Sequence, residues 1–275
     1  MPEPLRAAAT AKLNLALVVG PRREDGLHEV TTVLQRVDLA DRVTLAPAPS
    51  LVVTGFDGDT LVRATLEALA RDAGVTPGWR VQLDKRIPVA SGLGGGSSDA
   101  ATAVRLANAT LECPLEPSRL HALAAAVGVD VPFFLTAGPQ LGEGGGSDLS
   151  PLPLPGDYWV VVVVPHGAAK PSTAAVYAAF DERGGEIGAD ERRAQLLDAL
   201  ANVRRARDLG ALPPNDLTSS PLAAGLRDLG AFRADVTGAG PAVYGLFQHR
   251  ADADAARARM RRHGRTWLTV PAWYG

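Results

Sequence analysis

The chain has 275 residues, with 28 Lys+Arg against 30 Asp+Glu and a formal net charge of -2. That near-balance leaves no overall field to draw a polyanion or an anionic membrane surface, so neither nucleic acid nor membrane is expected as a partner. The length suffices for two modest domains with a core of their own, and the single cysteine, Cys113, reads as structural because it has no second thiol to pair with. Residues 1–10 lack the apolar core of a secretory signal, and the longest apolar run, residues 159–164, is too short to span a bilayer, which predicts a cytoplasmic protein.

Residues 12–19 alternate as a strand, placing Leu13, Leu15, Leu17 and Val19 on one face and Lys12 and Asn14 together on the other. A second alternating strand, residues 79–84, runs through Ile87 and Pro88 into the glycine cluster 92–96. Ser97, Ser98 and Asp99 then give a helix-start signal that residues 100–108 continue. A short helix is predicted over 118–127, with Ser118 as its cap and Gly128 as its stop, and Asp130 sits on the exit from it. Residues 142–147 read as a loop and the proline-rich stretch 151–156 as a connector, so the domain boundary is expected near Pro155.

Beyond it, residues 159–164 read as a buried strand and 191–203 as a helix with Leu196, Leu197, Leu200 and Val203 on one side. Residues 231–237 and 242–247 read as two strands joined by the tight turn 238–241. A helix over 251–262 and a strand over 267–270 complete an α+β second half.

The glycine loop is the strongest chemical signal. Gly94, Gly95 and Gly96 lack Cβ atoms and can point successive N–H groups at one anion, just before a helix whose N-terminal dipole favours negative charge. It is not a Walker loop, since no Lys precedes the serine pair, and it is not a dinucleotide fingerprint, since Ser97 stands where the third glycine belongs. Taken alone, such a loop is also compatible with a plain surface turn.

The run Pro88-Val89-Ala90-Ser91-Gly92-Leu93-Gly94-Gly95-Gly96-Ser97-Ser98-Asp99-Ala100-Ala101 resembles the ATP-binding motif of the GHMP superfamily, the kinases of galactose, homoserine, mevalonate and phosphomevalonate. Two more segments agree in the right order, Ala11-Lys12-Leu13-Asn14-Leu15 and Val236-Thr237-Gly238-Ala239-Gly240 with Ala242 and Val243. Narrower matches at residues 23–29, 128–134 and 215–217 extend the resemblance over nearly the whole chain. They are most similar to the branch that phosphorylates a cytidylated sugar alcohol in non-mevalonate isoprenoid precursor biosynthesis.

The resemblance implies a two-domain α+β kinase, residues 1–155 and 156–275, with the active site between the domains. It implies ATP with Mg2+ as cofactors and a cytidylated small-molecule substrate whose 2-hydroxyl is phosphorylated, by a monomer or homodimer. Residues 88–98 would hold the nucleotide, Asp130 would be the catalytic base and Lys12 its cationic partner. Asn14 would hold the acceptor hydroxyl, His28 the cytosine edge and Tyr177 the cytosine face, with Thr237 and Gly238 bringing backbone toward the phosphates. The metal ligands stay open between Ser98, Asp99 and water.

Three positions depart from the family pattern. Leu27 stands where a tyrosine commonly forms one wall of the cytosine site, Thr60 where an asparagine often meets adenine, and residues 144–147 lack the usual Arg and Glu. Leu27 keeps open a diverged kinase of another small alcohol. A catalytically silent nucleotide-binding protein is the other alternative, against which the intact set Lys12, Asn14 and Asp130 stands.

Overall fold

The computed structural model describes residues 3–167 and 172–272. Its first strand, β1 (Leu5–Arg22), pairs antiparallel along nearly its whole length with β2 (His28–Pro47). The turn between them is closed by Asp25, whose Oδ1 accepts from the Leu27 amide at 3.0 Å.

The register of this pair corrects the simple alternation expected for β1. Asn14 faces Leu34 but Ala16 faces Val33, so Leu15 is an inserted residue and the strand carries a β-bulge. Ala11, Leu13 and Leu15 enter one core with Ala16 and Val18, whereas Leu17 and Val19 pack with Val30, Phe180 and Leu217 in another. The bulge thus turns Leu17 toward the cleft that Lys12 and Asn14 also line.

The chain continues through β3 (Val52–Thr54), α1 (Leu61–Ala73), β4 (Trp79–Asp84), α2 (Gly95–Asn108), α3 (Pro117–Val127), β5 (Gln140–Glu143) and β6 (Asp148–Pro151). The sheet order is β3-β4-β2-β5-β6, with β1 on the other edge of β2. Helices α1 and α2 cover one face, burying Leu66, Leu69, Ala100 and Val104 against Val81 and Leu83; each fully buried aliphatic side chain of this size stabilises the fold by about 1.5–3 kcal/mol. Helix α3 starts one residue before the expected Ser118, with Glu116 at the cap and Pro117 first, because the fixed φ of proline suits that position. Residues 142–147 lie at the tip of the β5–β6 hairpin.

Past the proline connector come β7 (Trp159–Pro165), α4 (Thr173–Glu182), α5 (Ala189–Asn202), α6 (Pro221–Asp228), β8 (Arg233–Val236), β9 (Val243–Phe247), α7 (Arg250–Met260) and β10 (Gly264–Thr269). The four strands form an antiparallel sheet of order β10-β7-β9-β8. As expected for an apolar run, β7 is buried on both faces: Val161 and Val163 pack with Leu226, Ala253 and Met260, while Val160 and Val162 share a core with Leu13, Leu15 and Leu196. That shared core seats the second sheet against β1, and the two sheets fall on either side of Pro155. Among the described residues no helix is long and apolar enough to cross a membrane, and Cys113 is a free, exposed thiol.

Candidate active site

A cleft of about 830 Å3 is lined from both halves of the chain, by Lys12 and Asn14 of β1, the loop before α2, Asp130, Tyr177 of α4 and Gly238 of the β8–β9 turn. The bulged strand sets its floor. Lys12 Nζ donates to Asn14 Oδ1 at 2.7 Å and lies 3.5 Å from Asp130 Oδ2. Asn14 is locked in turn: its Nδ2 donates to Thr32 Oγ1 at 2.8 Å, and its backbone amide donates to Thr237 Oγ1 at 3.0 Å. Asp130 follows α3 on a turn held from behind by Arg36, whose Nη2 donates to the carbonyls of Phe133 at 3.2 Å and Thr136 at 2.6 Å. Burial lowers the Arg36 pKa to about 10, helped by nearby Arg105, and the guanidinium remains charged at neutral pH.

The glycine loop meets the floor and the second sheet at once. Lys12 N donates to Leu93 O and Ala242 N to Ser91 O, both at 2.9 Å. Gly92 has φ +88, and a Cβ there would stand 2.6 Å from Thr237 O; at Gly94, φ +71, it would stand 2.9 Å from Lys12 Cγ. Only glycine fits these two approaches. Helix α2 begins inside the glycine run, with Gly94 at its cap, two residues before the serine signal. The first-turn amides, Gly95 to Ser97, therefore have no carbonyl partner within the helix. They face a cleft that Gly95, Gly96 and Ser97 line, and these donors fit the phosphates of a nucleotide. Residues 88–97 all line the cleft; Ser98 is buried behind them.

Below the loop lies a charged cluster that local sequence patterns did not reveal. Lys85 Nζ donates to Asp41 Oδ2 on β2 and, at 2.5 Å, to Asp99 Oδ2 on α2. Asp41 Oδ1 also accepts from the amides of Arg86 at 2.5 Å and Ile87 at 2.8 Å. One ammonium thus ties together both ends of the glycine loop. Burial raises the Asp99 pKa to about 7, with Asp41 adding to the shift and Lys85 opposing it. Lys85 is itself raised, because Asp99 and Asp41 outweigh the effect of burial on its charge. The three residues come from separate elements, so only the Lys immediately after β4, before the loop, offered any local signal.

At the other end, His28 is buried, with Nδ1 donating to Gly20 O at 2.8 Å. Its Nε2 stands 3.1 Å from Asp181 Oδ1 without meeting hydrogen-bond geometry. Tyr177 stacks on the His28 ring at 5.1 Å between centroids and 29° between planes. Burial and the Asp130 carboxylate raise the Tyr177 pKa to about 12, which keeps the phenol protonated. Leu27 stands at the cleft rim, 45% exposed. Of the residues expected to meet substrate, Asn14, His28, Tyr177 and Gly238 line the cleft, while Thr237 is fully buried behind Asn14. Thr60, Val129, Gly145 and Gly146 also line it. Among the described residues no group of three or more His, Cys, Asp or Glu is gathered to hold a metal.

Comparison with known proteins finds a family and near-full-length relatives. The family model "GHMP kinases N terminal domain" matches residues 60–138, and "GHMP kinases C terminal" matches residues 219–266. The chain is 38% identical to the 4-diphosphocytidyl-2-C-methyl-D-erythritol kinase of Gloeobacter violaceus over 92% of this chain and 89% of that one. It is 34% identical to that of Chlorobium limicola over 98% and 97%. A crystal structure of 4-(cytidine 5'-diphospho)-2C-methyl-D-erythritol kinase superposes with a TM-score of 0.79 at 32% identity, covering 98% of this chain and 99% of that one. A mevalonate kinase structure superposes with a TM-score of 0.72 at 13% identity, covering 97% and 99%, which speaks for the fold alone.

Proposed function

The chain belongs to the GHMP kinases, and from that premise we propose that it transfers the γ-phosphoryl group of ATP to the 2-hydroxyl of 4-diphosphocytidyl-2-C-methyl-D-erythritol, a step of non-mevalonate isoprenoid precursor biosynthesis. The observation that carries this reading is the constellation of Lys12, Asn14 and Asp130 facing the open amides of α2 across one cleft. Near-full-length similarity to kinases of that name supports the choice of acceptor.

Asp130 takes the proton of the acceptor hydroxyl as that oxygen bonds to the γ-phosphorus and the bond to the bridging oxygen breaks, releasing ADP. Asn14 orients the acceptor, and the Lys12 ammonium stabilises charge on the transferring phosphoryl oxygens. Residues 88–97 hold the nucleotide, with Gly95, Gly96 and Ser97 donating to its phosphates. Mg2+ bound with the nucleotide would supply positive charge at the phosphates, with Asp99, which lines the cleft, and Ser98 beside it as the side chains that would help hold it. His28 and Tyr177 take the cytosine end, with Gly238 and the Thr237 hydroxyl behind the reacting groups. We divide the chain into residues 1–155 and 156–275, a division the two sheets support. We also place the protein in the cytoplasm, as a monomer or homodimer.

The test is ADP release by the purified protein with MgATP and 4-diphosphocytidyl-2-C-methyl-D-erythritol, beside mevalonate and galactose as rival acceptors. Turnover confined to the cytidylated alcohol supports the assignment. Turnover only with another alcohol, or none despite ATP binding, overturns it.

A further inference from the structure

The segment between the short helical turn Ala206–Ala211 and α6 carries Asn215 and Asp216, and neither is needed to explain nucleotide or acceptor contacts. Asn215 is buried and its amide is fully used. Nδ2 donates to Val236 O at 3.0 Å and Gly238 O at 2.7 Å, and Oδ1 accepts from Leu217 N at 2.9 Å.

Both carbonyls belong to the strand end and turn that close on the catalytic floor. On the far side of that turn, a Cβ added at Gly238 would stand 3.2 Å from Asn14 Oδ1 and 3.6 Å from Lys12 Nζ. Gly238 itself sits at φ +57, a conformation that glycine enters and leaves at little cost, so its own backbone does not fix it there. The turn is therefore pressed between Asn215 and the pair Lys12–Asn14, and Asn215 supplies the donors from behind.

We infer that Asn215 is a positioning residue for phosphoryl transfer, holding the Gly238 turn against Asn14 and Lys12 so that the ammonium is aimed at the reacting centre. The inference rests on the kinase reading above. Its logic is that removing the two donors leaves two carbonyl acceptors unpaired in a largely buried place, and that a small displacement at a reacting centre costs far more rate than binding.

The segment keeps its place without the Asn215 amide, because Asp216 anchors it independently. Asp216 Oδ2 accepts from Val19 N and Arg192 Nε, both at 2.9 Å, its amide donates to Leu17 O at 2.9 Å, and its carbonyl accepts from Arg183 Nη2 at 2.5 Å. A substitution at Asn215 should thus act on the turn rather than on the fold.

The experiment compares the parent with Asn215→Asp, which keeps the volume and the bond to Leu217 N but loses the paired donors, and with Asn215→Ala should the first variant not fold. Two readouts are taken: kcat and both KM values, and amide hydrogen exchange along the whole chain. The expected result is a fall in kcat of about tenfold or more with both KM values within about threefold, together with faster exchange at residues 237–240 and unchanged exchange in β7 and β9. A folded variant that keeps kcat within about threefold of an active parent overturns the inference, and so does unchanged exchange at the turn. The exchange readout needs no turnover, so an inactive parent would refute the kinase assignment, and the catalytic part of this inference with it, while exchange still decides whether Asn215 holds the turn.

Discussion

Lys12 Nζ and Asp130 Oδ2 meet at 3.5 Å across the cleft, and their burial is unequal: the lysine side chain is 5% exposed and the aspartate 42%. The ammonium is fixed by Asn14 in a site shielded from water, where a charge acts strongly on a transferring phosphoryl group. The carboxylate stays open to whatever hydroxyl enters the cleft, as the proposed role of base requires.

Asp130→Asn should therefore lower kcat by about 10²–10⁴-fold, the usual contribution of general base catalysis, while ATP affinity measured by calorimetry stays close to that of the parent. Lys12→Met should lower kcat by about 10²-fold or more and also disturb Asn14, whose Oδ1 loses the 2.7 Å bond from Lys12 and keeps only the 3.4 Å bond from Thr237 Oγ1. An Asp130→Asn enzyme with near-parental kcat would remove Asp130 from the chemistry.

Gly96 and Gly92 separate nucleotide binding from folding. A Cβ at Gly96 meets only Leu61 Cδ1, at 3.4 Å, and Gly96 is helical. Gly96→Ala should fold with a melting temperature equal to or slightly above that of the parent, since alanine favours a helix over glycine by up to about 1 kcal/mol. It should nonetheless raise the KM for ATP, because the methyl occupies the space where phosphate approaches the α2 amides. Gly92→Ala drives a methyl into Thr237 O at φ +88, and it should lose stability by about 1–3 kcal/mol. Thermal melts beside ATP titrations check both; a Gly96→Ala protein that binds ATP as the parent does would move the phosphates away from α2.

The same loop shows what the sequence made legible. Its glycines and the order strand, loop, helix located the open amides that face the cleft before α2, and the shared parity of Lys12 and Asn14 put both side chains on one face. The helix start was misplaced because glycine is a poor helix former, yet here the first turn is glycine so that its amides stay open to a ligand. The bulge at Leu15 was invisible because an inserted residue is defined only against a partner strand, and β2 showed no clear period because its first half is buried on both sides. Helix α4, which carries Tyr177 and Asp181, escaped for the related reason that its role depends on His28, far away in sequence.

The Asp41–Lys85–Asp99 cluster makes stability depend on pH. Burial, with Asp41, raises Asp99 from an ordinary carboxylate value to about 7 in the folded protein, so between about pH 4 and 7 the folded state holds a proton that the unfolded state releases. The resulting stability is fully present below the unfolded value and is lost as pH rises through 7. Asp99→Asn cannot titrate. The melting temperature of the parent, measured relative to Asp99→Asn, should rise as pH is lowered from about 8 to about 5. A difference that is flat across that range would show that Asp99 stays ionised beside Lys85.

The His28 end of the cleft, where the proposal seats the acceptor, has one aromatic wall and one aliphatic wall, and the two can be exchanged independently. Tyr177 stacks on His28 and lines the cleft, whereas Leu27 stands 45% exposed at the rim. An aromatic contact with a base is worth about 0.5–1.5 kcal/mol beyond the area it buries, or roughly 2–12-fold in affinity. Tyr177→Leu should therefore raise the KM for the cytidylated acceptor by about that factor and leave the KM for ATP unchanged. Leu27→Tyr should lower the acceptor KM by a similar factor, since the rim is open and the new ring does not enter a packed core. Steady-state kinetics with the acceptor varied at saturating ATP decide the matter. If Tyr177→Leu leaves the acceptor KM alone while Leu27→Tyr raises it, the base does not lie between these two walls, and the cytidine end must be sought elsewhere in the cleft.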